Sequence, residues 1–190
     1  MDIIETKIPD VKVLVPRVFG DSRGFFKETW NRRELEKLGL DLSFVQDNFS
    51  RSCRNTLRGL HYQRERPQGK LVWVSLGEVL DVAVDIRPES ATFGCWVSEV
   101  LSETNHRMMW IPPGFAHGFL VKSELADFQY KCTDFYAPEF ERCIRWDDER
   151  LGIDWGGVAP GDLIISEKDA RGRLFQDLFR PVIQRSDLER

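Results

Sequence analysis

From residue 11 to residue 134 the chain runs in short stretches of β-branched and aromatic residues, each closed by Gly, Pro, Asn or Asp. That spacing suits the strands of a sandwich or barrel. Branched and aromatic side chains pack on a pleated surface, and the turn residues reverse the chain between them. The runs predict strands at Val11 to Val15, Gly24 to Trp30, Phe44 to Ser52, Leu57 to Gln63 and Leu71 to Leu76. Further strands are predicted at Val79 to Arg87, Cys95 to Leu101, Arg107 to Ile111, Gly118 to Val121 and Asp127 to Asp134. So many strands with so few helices imply a sheet-on-sheet fold. Within the run from Asp81 to Arg87, Val82, Val84 and Ile86 share one face while Asp81, Ala83, Asp85 and Arg87 share the other. Strand alternation therefore predicts one packed face and one polar face.

Two short helices interrupt the pattern. Asn31 has the chemistry of an N-cap, Glu34 follows three residues on, Leu35 and Leu38 fall on one face, and Gly39 is a stop. Ser166-Glu167-Lys168-Asp169 opens a second helix with acidic residues in its first turn, and Gly172 soon interrupts it. Pro112-Pro113-Gly114 reads as a type II turn, since proline presets the first central dihedral and glycine supplies the positive φ of the second. No repeat or low-complexity linker divides the 190 residues, of which 42% are hydrophobic, so one core suffices. The expectation is a single domain over residues 1–190, with an amino-terminal strand arm and a carboxy-terminal helical segment. The charged tail after Phe179 is expected to fray.

Composition narrows the partners. The 27 basic and 31 acidic residues are spread along the chain for a net charge of −4, so no basic block offers a nucleic-acid footprint. No run of about 18 apolar residues exists to span a bilayer, and the start lacks the charged and apolar segments of a signal peptide. Cys53, Cys95, Cys132 and Cys143 are far apart without a C-x-x-C pair, which predicts free thiols in a cytoplasmic protein.

Histidine is the side chain whose ordinary pKa suits a base near neutrality, and the chain has His61, His106 and His117. His61 lies in a strand-like run in which Arg58 falls off its alternation, so a twist or bulge is required for the two to converge. On the residues alone, a hydrogen-bonded structural histidine is the commoner reading for His61 and for His117. His106, between Asn105 and Arg107, reads as solvated surface. A metal centre of the His-x-His type is not predicted, because Gln63 stands where the second imidazole is needed. There is no G-x-S-x-G elbow, no phosphate loop, and no histidine next to a cysteine in sequence.

A more specific likeness comes from motifs in fixed order. They are Asp21-Ser22-Arg23-Gly24-Phe25-Phe26-Lys27-Glu28, Gln46-Asp47-Asn48, Leu57-Arg58-Gly59-Leu60-His61, and Asp81 to Arg87 with Ser90-x-Thr92-Phe93-Gly94. Trp110 to Phe119, Tyr130-Lys131-Cys132-Thr133, Tyr136-Ala137-Pro138, Trp146, Gly152-Ile153-Asp154-Trp155 and Ser166 to Ala170 follow. Together they resemble the dTDP-4-dehydrorhamnose 3,5-epimerase family over most of the chain. Two departures are Phe49, where that family frequently has histidine, and a segment from Tyr62 to Gly69 one residue shorter than in many relatives.

The resemblance implies an all-β fold, a cupin-type double-stranded β-helix or jelly roll with short peripheral helices. It implies a homodimer with no metal and no dissociable cofactor, converting dTDP-4-dehydro-6-deoxy-D-glucose to dTDP-4-dehydro-L-rhamnose. Carried over residue by residue, His61 is the base, Asp169 the carboxylate that orients it, Tyr130 the acid, and Lys70 the cation for an enolate. Tyr136 is expected to stack on thymine. Arg23, Glu28, Gln46, Asp47, Asn48, Arg58, His117, Glu141 and Lys168 are expected to hold the nucleotide, diphosphate and sugar. The chemistry is coherent: a C4 ketone acidifies the hydrogens on C3 and C5, and inversion needs reprotonation from the opposite face. Three rivals are a single-carbon epimerase on a related 4-keto-6-deoxy sugar nucleotide, a non-catalytic sugar-nucleotide-binding jelly roll, and a metal-dependent cupin.

Overall fold

The structure, a computed structural model, describes residues 1–179. Its strands assort into two facing sheets. The first runs β1 (Asp2–Glu5), β2 (Lys12–Val15), β10 (Met108–Ile111), β7 (Lys70–Leu76), β12 (Leu125–Cys132) and β5 (Gln46–Cys53). The second runs β13 (Glu141–Cys143), β6 (Thr56–Gln63), β11 (Phe115–Val121), β8 (Glu78–Asp85) and β9 (Trp96–Ser102), with β14 (Ile164–Ile165) parallel to β6. From β5 to β8, and again from β9 to β12, successive strands alternate between the sheets, and this wrapping makes the fold a jelly roll of the cupin type. A hairpin of β3 (Val18–Asp21) and β4 (Gly24–Lys27) pairs with neither sheet.

Apolar alternation builds three layers. Val72, Val74, Ala83, Met109, Phe119 and Phe128, from both sheets, fill the space between them. Outside the second sheet, Leu57, Val82, Val84, Ala116 and Leu120 are covered by Ile144, Leu151, Trp155 and Phe175 of the carboxy-terminal segments. Outside the first, Leu71, Trp73, Met108 and Trp110 are covered by Leu35 of α1 (Arg32–Lys37) and by Leu42. Asn31 caps α1 as expected, its Oδ1 accepting from the Arg33 and Glu34 amides at 3.1 and 3.4 Å. Leu38, however, is the C-cap and is 38% exposed, because the helix ends before that residue can turn toward Leu35.

Other expectations are corrected. Both faces of β8 are buried: Asp81, Ala83 and Asp85 point into the space between the sheets, while Val82 and Val84 pack outward under the carboxy-terminal cover. β8 ends at Asp85 rather than Arg87, because the Asp85 carboxylate accepts the Arg87 amide at 3.0 Å and turns the chain. β4 ends at Lys27, short of Trp30. His106 is half-buried, with Nδ1 3.2 Å from Lys27 Nζ and its ring 4.9 Å from Phe25. The segment Asp2–Glu5 pairs with β2 of its own chain. The tail after Phe179 lies outside the described residues.

Candidate active site

β6 and β11 carry the device that aims the site. Their register passes from His117 opposite His61 to Phe119 opposite Arg58, so two residues of β6, Gly59 and Leu60, stand against one of β11, Gly118. That bulge supplies the break in alternation that Arg58 and His61 need to face one cavity. Two glycines permit it. A Cβ on Gly59, whose φ is +115°, would lie 2.6 Å from the Gly118 Cα, and one on Gly118 would lie 2.7 Å from the Arg58 carbonyl oxygen.

Two adjoining pockets open between the sheets and share His61, Lys70 and Tyr130. One extends along Gln63, Phe115, Tyr136 and Glu141. The other extends along Asn48, Phe49, Arg58, His117 and Phe128. His61 belongs to the second sheet, whereas Tyr130 on β12 and Lys70 at the start of β7 belong to the first. The cavity therefore has a histidine on one wall and a phenol with an amine on the other. The short segment before β7 still delivers Lys70, whose Nζ lies 5.9 Å from the centre of the Tyr130 ring.

Behind His61, α2 (Glu167–Ala170) presents Asp169, held 4% exposed. Ser166 caps this helix by accepting from the Asp169 amide at 3.1 Å. Asp169 Oδ1 lies 2.6 Å from His61 Nε2, and its Oδ2 accepts from the Gly59 amide at 3.2 Å. Burial works against ionisation of Asp169, but the His61 and Gly59 bonds outweigh it and hold the carboxyl below its ordinary pKa. An ionised Asp169 accepts the proton on Nε2 and leaves Nδ1 as the nitrogen with a lone pair.

The opposite wall is desolvated. Burial, with Cys132 and Glu141 adding to it, pushes the Tyr130 phenol up to about 12, so it is a proton donor near neutrality. Burial lowers the Lys70 pKa, with Cys132, Asp81 and Glu141 resisting the shift. A dry ammonium of this kind gains most when an anion forms beside it. Burial also lowers the His117 pKa, against the pull of Asp81.

Of the remaining candidates, Tyr136, Glu141 and Lys168 form one group at the rim. Glu141 Oε2 accepts from the Tyr136 hydroxyl at 2.7 Å and from the Lys168 ammonium. Gln46 accepts from the Tyr136 amide at 2.8 Å and donates to Asn48 at 3.0 Å. Asp47 is not brought in: alternation on β5 turns it to the other face, where it pairs with Lys131 at 2.9 Å. Arg23 and Glu28 also lie apart from both pockets. Arg23 sits at the hairpin tip, 87% exposed and paired with Asp21, and Glu28 accepts from Asn31 at 3.0 Å. Phe49 is 60% exposed and lines the second pocket.

Comparison with known proteins decides the family. The family model for dTDP-4-dehydrorhamnose 3,5-epimerase matches residues 5–177. The chain belongs to that family. A Pseudomonas aeruginosa member is 60% identical over 90% of this chain and 93% of its own. An Escherichia coli K12 member is 54% identical over 95% and 97%. The fold likewise matches a solved dTDP-6-deoxy-D-glucose-3,5-epimerase of Legionella pneumophila in complex with dTDP-4-keto-L-rhamnose. That match has a TM-score of 0.89 and 50% identity, covering 98% of this chain and 96% of the other.

Family motifs account for most of the candidate residues, but three residues in or behind the cavity walls were given no site role from sequence. Asp81, fully buried, sits 2.9 and 3.1 Å from His117 Nε2 and fixes that ring. Its signal was a carboxylate alternating with Ala83 in an otherwise apolar strand. Gln63, the residue that argued against a metal, donates to the Arg66 carbonyl at 2.8 Å and accepts from the Ala137 amide at 2.8 Å, bracing the rim. Cys143 lies directly opposite His61 across β13 and β6, 82 positions away in sequence, and no local pattern announces it. Burial, then Asp169, push its thiol up to about 12.

Proposed function

We propose that this isomerase converts dTDP-4-dehydro-6-deoxy-D-glucose to dTDP-4-dehydro-L-rhamnose by inverting C3 and C5. His61 Nδ1 removes the proton next to the C4 ketone, and the electron pair moves onto the ketone oxygen. Lys70 stabilises that oxygen as its charge develops, and Tyr130 returns a proton from the opposite face. Asp169 holds the His61 tautomer. Because the ketone acidifies both neighbouring carbons, the same groups serve C3 and C5 in turn. The observation that carries this reading is the placement of His61 with Asp169 on one sheet, across one cavity from Tyr130 and Lys70 on the other.

Arg58, Asn48 and His117 line the second pocket and are assigned to the nucleotide end, where a guanidinium can bond two diphosphate oxygens at once. Tyr136, 50% exposed at the rim, offers a flat face for thymine. The reading takes the chain as one functional domain, without metal or dissociable cofactor, acting in the cytoplasm. Its four free cysteines suit a reducing compartment.

The active form in this reading is a homodimer. Phe19, Phe25 and Phe26 are 56%, 60% and 69% exposed on a hairpin that pairs with neither sheet. A second copy covers that surface and receives Arg23 and Glu28 near its own cavity. Light scattering at micromolar concentration tests this, and a monomer would remove the homodimer from the reading.

Solvent deuterium incorporation followed by NMR tests the reaction. Label at both C3 and C5, abolished by His61→Ala, supports it. Label at one carbon makes the chain a single-carbon epimerase, and no label removes the substrate assignment.

A further inference from the structure

Cys143 has no task in the chemistry proposed above, yet it stands beside the base. His61, Cys143 and Asp169 each direct a ligand atom into one place, with the three atoms within 4.8 Å of one another. Among the described residues no other group of three or more His, Cys, Asp or Glu side chains meets that condition. The three come from three elements, β6, β13 and α2, so the arrangement is a product of the fold. His61 is 27% exposed at the cavity wall, and Cys143 beside it is partly exposed, so two of the three ligands are not sealed from solvent.

We infer that this cluster is a binding site for a thiophilic divalent cation, Zn²⁺ in the first instance, and that its occupancy switches the catalytic base off. The ligand set mixes thiolate, imidazole and carboxylate, the donors that zinc takes in tetrahedral sites, with a water molecule as the fourth ligand. Tetrahedral bonds of about 2.0–2.3 Å put ligand atoms about 3.3–3.8 Å apart. The 2.6 Å contact between His61 and Asp169 thus opens by about 0.7–1.2 Å as the ion replaces the shared proton. The Cys143 thiol now contacts the Ile144 carbonyl at 3.5 Å, a weak partner that is readily given up.

The proton balance explains the loss of activity. Binding at Nε2 requires its lone pair, so the proton that Nε2 carried moves to Nδ1, the nitrogen assigned to the substrate. The Cys143 thiol releases one proton to solvent on becoming a thiolate. A metal-bound His61 therefore presents an N–H where the base needs a lone pair. Binding itself stands apart from the proposed function; the effect on turnover rests on it.

The test uses the full chain with Cys53→Ser and Cys95→Ser as background, so that zinc taken up by these two exposed thiols does not enter the count. Zinc is titrated against a chromophoric chelator, and Cys143→Ala is compared in the same background. One ion per chain, bound at least tenfold more weakly after Cys143→Ala, is expected. Equal uptake by both proteins, or no uptake, overturns the site. The second readout is deuterium exchange on the sugar nucleotide. Zinc should abolish it, EDTA should restore it, and Cys143→Ala should retain zinc-free exchange while needing at least tenfold more zinc for half-inhibition. Inhibition unchanged by Cys143→Ala refutes the link to the base. A chain that binds zinc at this site but exchanges no deuterium without it refutes the proposed function and leaves the metal site standing.

Discussion

Asp169→Asn keeps the size of the side chain and removes its charge, which makes it a sharp test of how His61 is poised. The carboxylate accepts two bonds, from His61 Nε2 at 2.6 Å and from the Gly59 amide at 3.2 Å. An asparagine has one acceptor oxygen for two donors. With that oxygen turned to His61, the loss is the difference between a charge-assisted and a neutral bond. Bonds to charged groups are worth about 1.5–3 kcal/mol and neutral ones about 0.5–1.5, so the difference of about 1–1.5 kcal/mol corresponds to about 5- to 13-fold in rate. With the oxygen turned to Gly59, the amide NH₂ faces Nε2, and the imidazole proton must move to Nδ1. That is the wrong tautomer for a base, and the comparable substitution in a serine-protease triad costs about 10⁴-fold. The expected outcome is a fall in kcat of about 10-fold or more, up to about 10⁴-fold if the oxygen turns to Gly59, with KM changed by less than about threefold, because Asp169 is 4% exposed behind the histidine. Initial-rate kinetics on the sugar nucleotide, with deuterium exchange at each carbon, measure this. Both carbons should slow together. A kcat within about fivefold of the parent, or a change confined to KM, would refute the orienting role.

Other consequences are equally open to measurement. Tyr130→Phe removes the donor opposite His61, and inversion should fall by about 10²- to 10⁴-fold. Exchange by return of a proton from the His61 face should persist, so wash-in and product formation separate; parallel loss of both would count against the two-wall arrangement. Asp85 is fully buried; burial opposes its ionisation, but bonds from Arg87, Ser90 and Thr92 hold its carboxyl at about 2. Its stabilising effect is therefore complete above the unfolded pKa of about 4 and is lost as pH falls toward 2. Asp85→Ala should cost about 2–3 kcal/mol near neutrality, lowering Tm by about 4–12 °C, and should flatten the acid limb of the stability curve. An unshifted melting curve would refute this. Gly59→Ala places a Cβ 2.6 Å from the Gly118 Cα at a positive φ, so both thermal stability and kcat should drop, whereas a fully active, stable variant would show that the bulge does not set the site.

Much of this molecule is written locally. Alternating branched and aromatic runs set strand faces, Asn31 and Ser166 cap their helices through side-chain oxygens, and Gly114, at a φ of +88°, ends the Pro112-Pro113-Gly114 turn as its sequence implies. The family's ordered motifs likewise marked His61, Tyr130 and Asp169 as the candidate chemistry, and Lys70 followed from the resemblance by position.

What the sequence could not tell is which surfaces meet. The polar face of β8 was not expected to pack, because alternation reports two faces but not which one a second sheet covers. Asp81 is buried against His117 for that reason. Asp47 shares a motif with Gln46 and Asn48, yet the pleat of β5 sends it to the other side. Arg58 and His61 converge only because β6 bulges against β11, an event of pairing between residues far apart in the chain. Cys143 reaches His61 through strand register, and Asp169 reaches it through the docking of a short helix. Local sequence determines the conformation each segment prefers. The meeting of β6, β13 and α2 at one imidazole is decided by long-range pairing and burial, terms that no single stretch of the chain contains.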